Sequence, residues 1–203
     1  KPIKGSMEKA LAAARAGQGQ PDPDVGGQPI SGGNPPAPTT SVNHPDRYIV
    51  LPGSTHGAYN YPDTLVAMEK TYHNKNWHDA HKALADEGAY MLTIRQFVDF
   101  LNVLKSGNVF DGTGSPVQKS KLDEILDEIW TVKSSWRSEW LDAKFKTRGG
   151  VVGIGSKMHV LYEHRFVNGQ LEPKQAKELT NYVSSNKTPG IDLDAWLGSA
   201  NEY

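Results

Sequence analysis

The stretch Asn76–Lys105, NWHDAHKALADEGAYMLTIRQFVDFLNVLK, constrains the fold more than any other part of the chain, because its punctuation leaves little choice of local structure. Asn76 is a good N-cap, Trp77, Ala80 and Leu84 share one helical face, and Gly88 stands where a left-handed residue ends a helix. A short extended step, Ala89 to Leu92, follows. Thr93 with Gln96 three residues on is a capping box, and Ile94, Phe97, Val98, Leu101 and Leu104 make the apolar stripe of a second helix. Trp77 and Phe97 are expected to share one core. This predicts a pair of central helices and no particular chemistry.

Around that pair the sequence predicts an α+β chain in three parts: an N-terminal helix within 1–16, a Gly/Pro-rich tether over 17–45 and a folded domain over 46–203. Ser6 can cap a helix from Met7 to Ala16 that Gly17 stops. Glycine and proline then make up nearly half of Gly17–Pro45, too little apolar surface to offset ordering, so no regular helix or sheet is expected there. Tyr48–Leu51 reads as an apolar strand stopped by Pro52-Gly53, with polar turn residues leading to Leu65–Met68. Asp111-Gly112 marks a tight hairpin or loop tip, and Ser120 opens a third helix that buries Leu122, Ile125, Leu126 and Ile129. Trp136 and Trp140 suit a helical turn, and Leu141–Phe145 an ensuing strand. Lys157–Phe166 alternates as a strand, with Met158, Val160, Tyr162 and His164 on one face and a turn at Asn168-Gly169. A fourth helix is expected from Pro173 to Ser185, burying Ala176, Leu179 and Val183. Asp192 caps a last short helix with Ile191 and Trp196 as its hydrophobic staple.

Composition narrows function mainly by exclusion. A net charge of -1 and a pI near 6.7 supply no concentrated basic face, so no nucleic-acid partner is expected. The chain has no cysteine, which removes disulfides, thiolate metal sites and cysteine nucleophiles. No apolar run approaches the length of a membrane span.

His78 and His81, at i and i+3, are spaced to share a metal, but no third ligand is fixed locally and a solvated helix face explains them as well. Gly150-x-x-x-x-Gly155-Ser156-Lys157 has the last pair of a phosphate loop reversed and reads as a turn before a strand. Ser54, Thr55 and His56 offer a nucleophile and a base, yet neighbours in a loop seldom meet and no third group orients the histidine. Trp77, Trp130, Trp136, Trp140 and Trp196 make either a ligand surface or, as expected for most of them, core. Arg137 and Asp142 read either as a buried or half-buried ion pair that orients a turn or as a surface pair. Asp192 and Asp194 serve as a cap and a first-turn charge. No catalytic residue, cofactor site or metal site is assigned, and the chain reads as a non-enzyme.

The same words carry a resemblance. Trp77-x-Asp79-Ala80, Gly88 before Tyr90-Met91, and Thr93-x-x-Gln96-Phe97 resemble the helix–strand–helix of C-type lectin folds of the formylglycine-generating-enzyme type. Lys75-Asn76-Trp77, Arg95–Leu101, Leu104–Gly107, Trp136–Ala143 and Lys187–Leu193 are similar to variable target proteins of archaeal diversity-generating retroelements, over roughly Tyr48 to Leu197. The resemblance implies a C-type-lectin-like domain that displays a diversified surface to a protein or surface ligand. It also implies that the Trp136–Phe145 segment belongs to the scaffold. In that family the varied segment follows the Thr188–Asp192 motif, so a chain ending at Tyr203 is expected to lack it. The first strand, Tyr48–Leu51, would then keep an unpaired edge, and self-association through that edge, with Met7–Ala16 covering it, or a longer natural chain is expected. Two other classes stand beside this reading: an assembly protein of a particle or homo-oligomer, and a metal-dependent enzyme working through His78 and His81.

Overall fold

A computed structural model of the chain describes residues 42–130, 140–148, 157–179, 183–185 and 188–190. The expected N-terminal helix, almost all of the tether and the helix capped by Asp192 lie outside these residues. Among the described residues the fold is mixed α+β, with three α-helices and small antiparallel sheets. A 3₁₀ turn, Pro45–Arg47, leads into β1 (Tyr48–Leu51), which pairs with β4 (Thr64–Ala67) in the register Tyr48↔Ala67 to Leu51↔Thr64. Between them β2 (Ser54–His56) and β3 (Tyr59–Tyr61) form a hairpin where only polar turns were expected. The alternation of Tyr59 and Tyr61 explains it, since both rings are buried and the intervening Asn60 is exposed.

The two central helices form as their caps dictate. In α1 (Trp77–Asp86) the Asn76 side chain accepts the Asp79 N–H at 2.9 Å, and Gly88 follows with φ +72°. In α2 (Ile94–Ser106) Thr93 and Gln96 form the reciprocal capping box. Helix α3 spans Lys119–Trp130, one residue ahead of the expected start, so Ser120 lies inside it and Asp123 pairs with Lys119 at 2.8 Å. Leu122 and Ile125 supply its buried face.

A three-stranded sheet in the order β5-β6-β7 consists of β5 (Lys144–Arg148), β6 (Lys157–Val167) and β7 (Gln170–Glu178). The helix expected from Pro173 is therefore a strand. Asn168 and Gly169 both have positive φ, 50° and 79°, the geometry of a two-residue hairpin turn whose twist returns the chain along β6. The residues turned inward from β7 and its end, Leu171, Gln175, Lys177 and Leu179, alternate, whereas Ala176, expected in a helical core, is exposed. Pro173 sits in this outer strand, where a missing N–H is tolerated. A last short pair, β8 (Val183–Ser185) with β9 (Thr188–Gly190), completes the described chain.

One core gathers Ile49 and Leu51, Tyr59 and Tyr61, Phe100 and Leu104, Val109, Leu122 and Ile125, Val160 and Tyr162, and Leu179. Phe97 packs against it from a half-buried position. Trp77 is absent from this core, because its ring is spent on His81 and His164, so the expected union of the Trp77 and Phe97 faces does not hold.

The expected open edge of β1 is overturned too. The Val50 N–H donates to the Phe110 carbonyl at 2.9 Å, and the Gly112 N–H reaches the carbonyls of Tyr48 and Pro45, each at 3.0 Å. This loop is the expected Asp111-Gly112 tip, held by the Asp111 carboxylate, which accepts the N–H groups of Thr113 and Ser115 at 2.8 and 3.0 Å. A Cβ on Gly112 would stand 2.6 Å from the Pro45 carbonyl oxygen, so the close approach requires glycine.

Candidate functional site

Two carboxylates gather the chemistry-bearing side chains. The first is Asp99 on α2. Its Oδ1 accepts from Arg95 Nη2 at 2.8 Å, one turn earlier on the same helix. Its Oδ2 accepts from Tyr61 Oη at 2.5 Å and lies 2.7 Å from His56 Nε2. Ser54 Oγ also lies 3.1 Å from His56 Nε2. The expectation that Ser54 and His56 do not meet, and that nothing orients the histidine, is thus overturned: β2 places both side chains on one face and α2 brings Asp99 to it. The geometry is nevertheless wrong for a catalytic triad. There the base uses one ring nitrogen for the nucleophile and the other for the carboxylate, whereas Ser54 and Asp99 here compete for the same Nε2. Burial, and then the hydrogen bond and charge of Asp99, push the Tyr61 phenol well above its ordinary range, which keeps it a donor.

The second carboxylate is Asp142, which stands just before β5. Its own N–H donates to the Leu92 carbonyl at 2.8 Å, and its Oδ2 accepts the backbone N–H of His164 at 2.9 Å. Its Oδ1 is hydrogen-bonded to His164 Nδ1 and lies 3.6 Å from His81 Nε2. The three side chains are only 4% (His81), 5% (Asp142) and 2% (His164) exposed. Trp77 covers them edge-on, with ring centroids 4.3 Å from His81 and 5.0 Å from His164, and its Nε1 donates to the Leu141 carbonyl at 2.8 Å. Burial holds His81 below the ordinary imidazole pKa. Asp142 opposes that shift, and His164 and His78 add to it. His81 Nε2 and His164 Nε2 are both buried without a hydrogen-bond partner. His164 also lines a cleft of about 450 Å³ with Trp77, His78, Lys144 and Leu161.

The sequence pairing of His78 with His81 separates in space. His78 is exposed and faces the Phe166 ring, while His81 is buried and belongs to Asp142, so neither a shared metal nor a common solvated face describes them. Asp142, expected to pair with Arg137, takes the two histidines; Arg137 lies outside the described residues. Trp130 is half-buried under Lys105, 5.5 Å from the ring centroid. Trp140, expected in the core, is 50% exposed, with its Nε1 donating to the Lys75 carbonyl at 3.2 Å. Trp136, Trp196, Asp192, Asp194 and the glycine-rich run before Lys157 lie outside the described residues. Lys157 itself opens β6 and pairs with Glu178 at 2.8 Å, and Lys174 pairs with Glu163 at 3.3 Å.

A larger cleft of about 950 Å³, bordered by Met68, Leu84, Phe97, Ile129 and Trp140, holds neither of these constellations. Among the described residues, His81, Asp142 and His164 are the one group of histidines and carboxylates close enough to share a cation, and no helix is long and apolar enough to cross a membrane. No protein-family model, curated protein or solved structure matches the chain.

Proposed function

We propose that this chain is the frame of a ligand-display protein of the kind that retroelements diversify, with a C-type-lectin-like architecture, and that it acts by binding a protein or surface ligand rather than by catalysis. The observation that carries the reading is where the family-like residues go. In Arg95–Leu101 the residues Arg95, Gln96, Val98, Phe100 and Leu101 are each no more than 4% exposed, and Asp99 ties that helix to the β2–β3 hairpin. Leu141 and Asp142, from a second family-like segment, anchor the approach to β5. Words spent on the frame in this way leave recognition to other surface, the division of labour such a protein needs.

The absence of a correctly disposed nucleophile and base at Ser54, His56 and Asp99 favours binding over acyl transfer. The test is genomic. The reading frame beyond Tyr203 should continue into a segment whose variation is adenine-directed and matched by a nearby template repeat. A locus with no such repeat, and an invariant downstream frame across isolates, would sink the reading.

A further inference from the structure

We propose that His81, Asp142 and His164 bind one divalent first-row transition-metal ion of the Zn²⁺ class, which ties α1 to the β5-β6-β7 sheet. Two imidazole nitrogens and one carboxylate oxygen are the donor set that such ions take, whereas Ca²⁺ and Mg²⁺ ask for oxygen alone. One atom from each residue lies within 4.8 Å of the other two. A metal with bonds of about 2.0–2.2 Å holds neighbouring ligand atoms roughly 3.3–3.5 Å apart, close to the 3.6 Å between His81 Nε2 and Asp142 Oδ1. His164 Nδ1 stands nearer to that oxygen than two ligands of one ion do, as a hydrogen bond requires. An incoming cation displaces the shared proton to solvent, as metal binding to histidine generally does, and the pair opens to the spacing of two ligands of one ion.

Burial supplies a second and independent observation. His81 Nε2 is an orphaned nitrogen inside the protein, aimed at a carboxylate but too far away to bond it. A protein-only cluster leaves that desolvation unanswered, and a cation between His81 and Asp142 makes the nitrogen a ligand. The surroundings are already fixed. The Leu92 carbonyl and the His164 N–H set Asp142, while Trp77 holds the Leu141 carbonyl and closes over both rings. The cleft lined by His164 provides an approach. With every ligand side chain at most 5% exposed, the ion ties together segments distant in sequence, and a water completes the fourth position that three protein ligands leave. This inference does not rest on the display reading, and either can fail alone.

The test uses the full chain stripped with a chelator and titrated with Zn²⁺ and with Co²⁺. The expected result is one equivalent bound per chain, visible Co²⁺ d–d absorption of a low-symmetry site, and a raised thermal midpoint. His81→Ala and His164→Ala should each weaken Co²⁺ binding by about 100-fold or more, beyond what loss of an outer-shell group does, while His78→Ala leaves it unchanged. Should the alanine variants not fold, imidazole ¹⁵N shifts of the wild-type chain decide: Zn²⁺ should move His81 and His164 and leave His56 and His78 in place. No saturable uptake, or uptake that moves other histidines instead, would overturn the proposal.

Discussion

Asp99 and Asp142 are two carboxylates brought into the interior beside histidine, and they are completed in different ways. Asp99 receives a guanidinium and a phenol and meets an imidazole, so both oxygens are engaged by protein groups that need nothing further from it. Asp142 meets two imidazoles and a backbone N–H, and leaves a buried nitrogen on each ring without a partner. The first arrangement is a brace between a helix and a hairpin. The second sets two buried imidazoles around one carboxylate, and the contrast teaches that the surroundings of a buried histidine, more than its presence, separate a structural network from a candidate site.

The largest expected effect comes from dismantling the brace. Asp99→Ala takes the carboxylate away from a guanidinium that is 1% exposed, and should cost about 3–5 kcal/mol in chemical denaturation, as breaking a buried pair does. A loss under about 1 kcal/mol would mean that Asp99 braces nothing.

Next in size is Asp142→Ala in chelator-treated protein. Only hydrogen bonds to a carboxylate are lost, so about 1–3 kcal/mol is expected, and the variant should gain no stability from Zn²⁺ while the wild-type chain does. Equal responses of the two proteins to Zn²⁺ would erase the distinction between the two carboxylates.

His56→Ala should be milder still, about 1 kcal/mol, because Arg95 and Tyr61 keep Asp99 engaged. The same denaturation experiment measures it, and a cost as large as that of Asp99→Ala would make His56 the centre of the brace.

The smallest effect is confined to alkaline pH. Tyr59 and Tyr61 are held far above the ordinary tyrosine value of 10.0, chiefly by burial, and Tyr72 is raised to about 12 by burial and then by its hydrogen bond to Glu87. Folded pKa values above the unfolded one mean that this stability is whole below pH ~10 and is lost as pH climbs through 10 toward 12 and beyond. Tyrosinate absorbance should therefore show Tyr59 and Tyr61, of the eight tyrosines, ionising only as the fold is lost, and Tyr72 ionising near pH 12. Titration of all eight near pH 10 with unchanged circular dichroism would contradict it.

What was legible in the sequence is what is local. Asn76, Gly88, Thr93 with Gln96, and Asn168-Gly169 act within four residues of themselves, so their chemistry reads directly as helix ends and a turn. Strand β7 was misread because Ala176 and Leu179 fall at helical spacing by chance, while the turn at Asn168-Gly169, which decides the matter, lies outside that window. The Asp142 site was hidden because α1, the approach to β5 and β6 each contribute one residue. One clue was present: His164 continues the Met158, Val160, Tyr162 face of a strand, and a histidine in line with buried side chains needs a partner from elsewhere.

The loop from Val109 to Gly112, which lies against β1, also bears on the order in which the chain assembles. Its backbone bonds join Tyr48 and Val50 to residues beyond both central helices, so they close a long span of chain, whereas the caps and turns of α1 and α2 close only a few residues each. Loop-closure entropy places such a contact late, after local elements have drawn its ends together. Pro45, Tyr48 and the glycine of the Asp111-Gly112 tip should thus close late in folding, and amide exchange at Val50 and Gly112 is expected to follow the opening of the whole domain rather than of one strand.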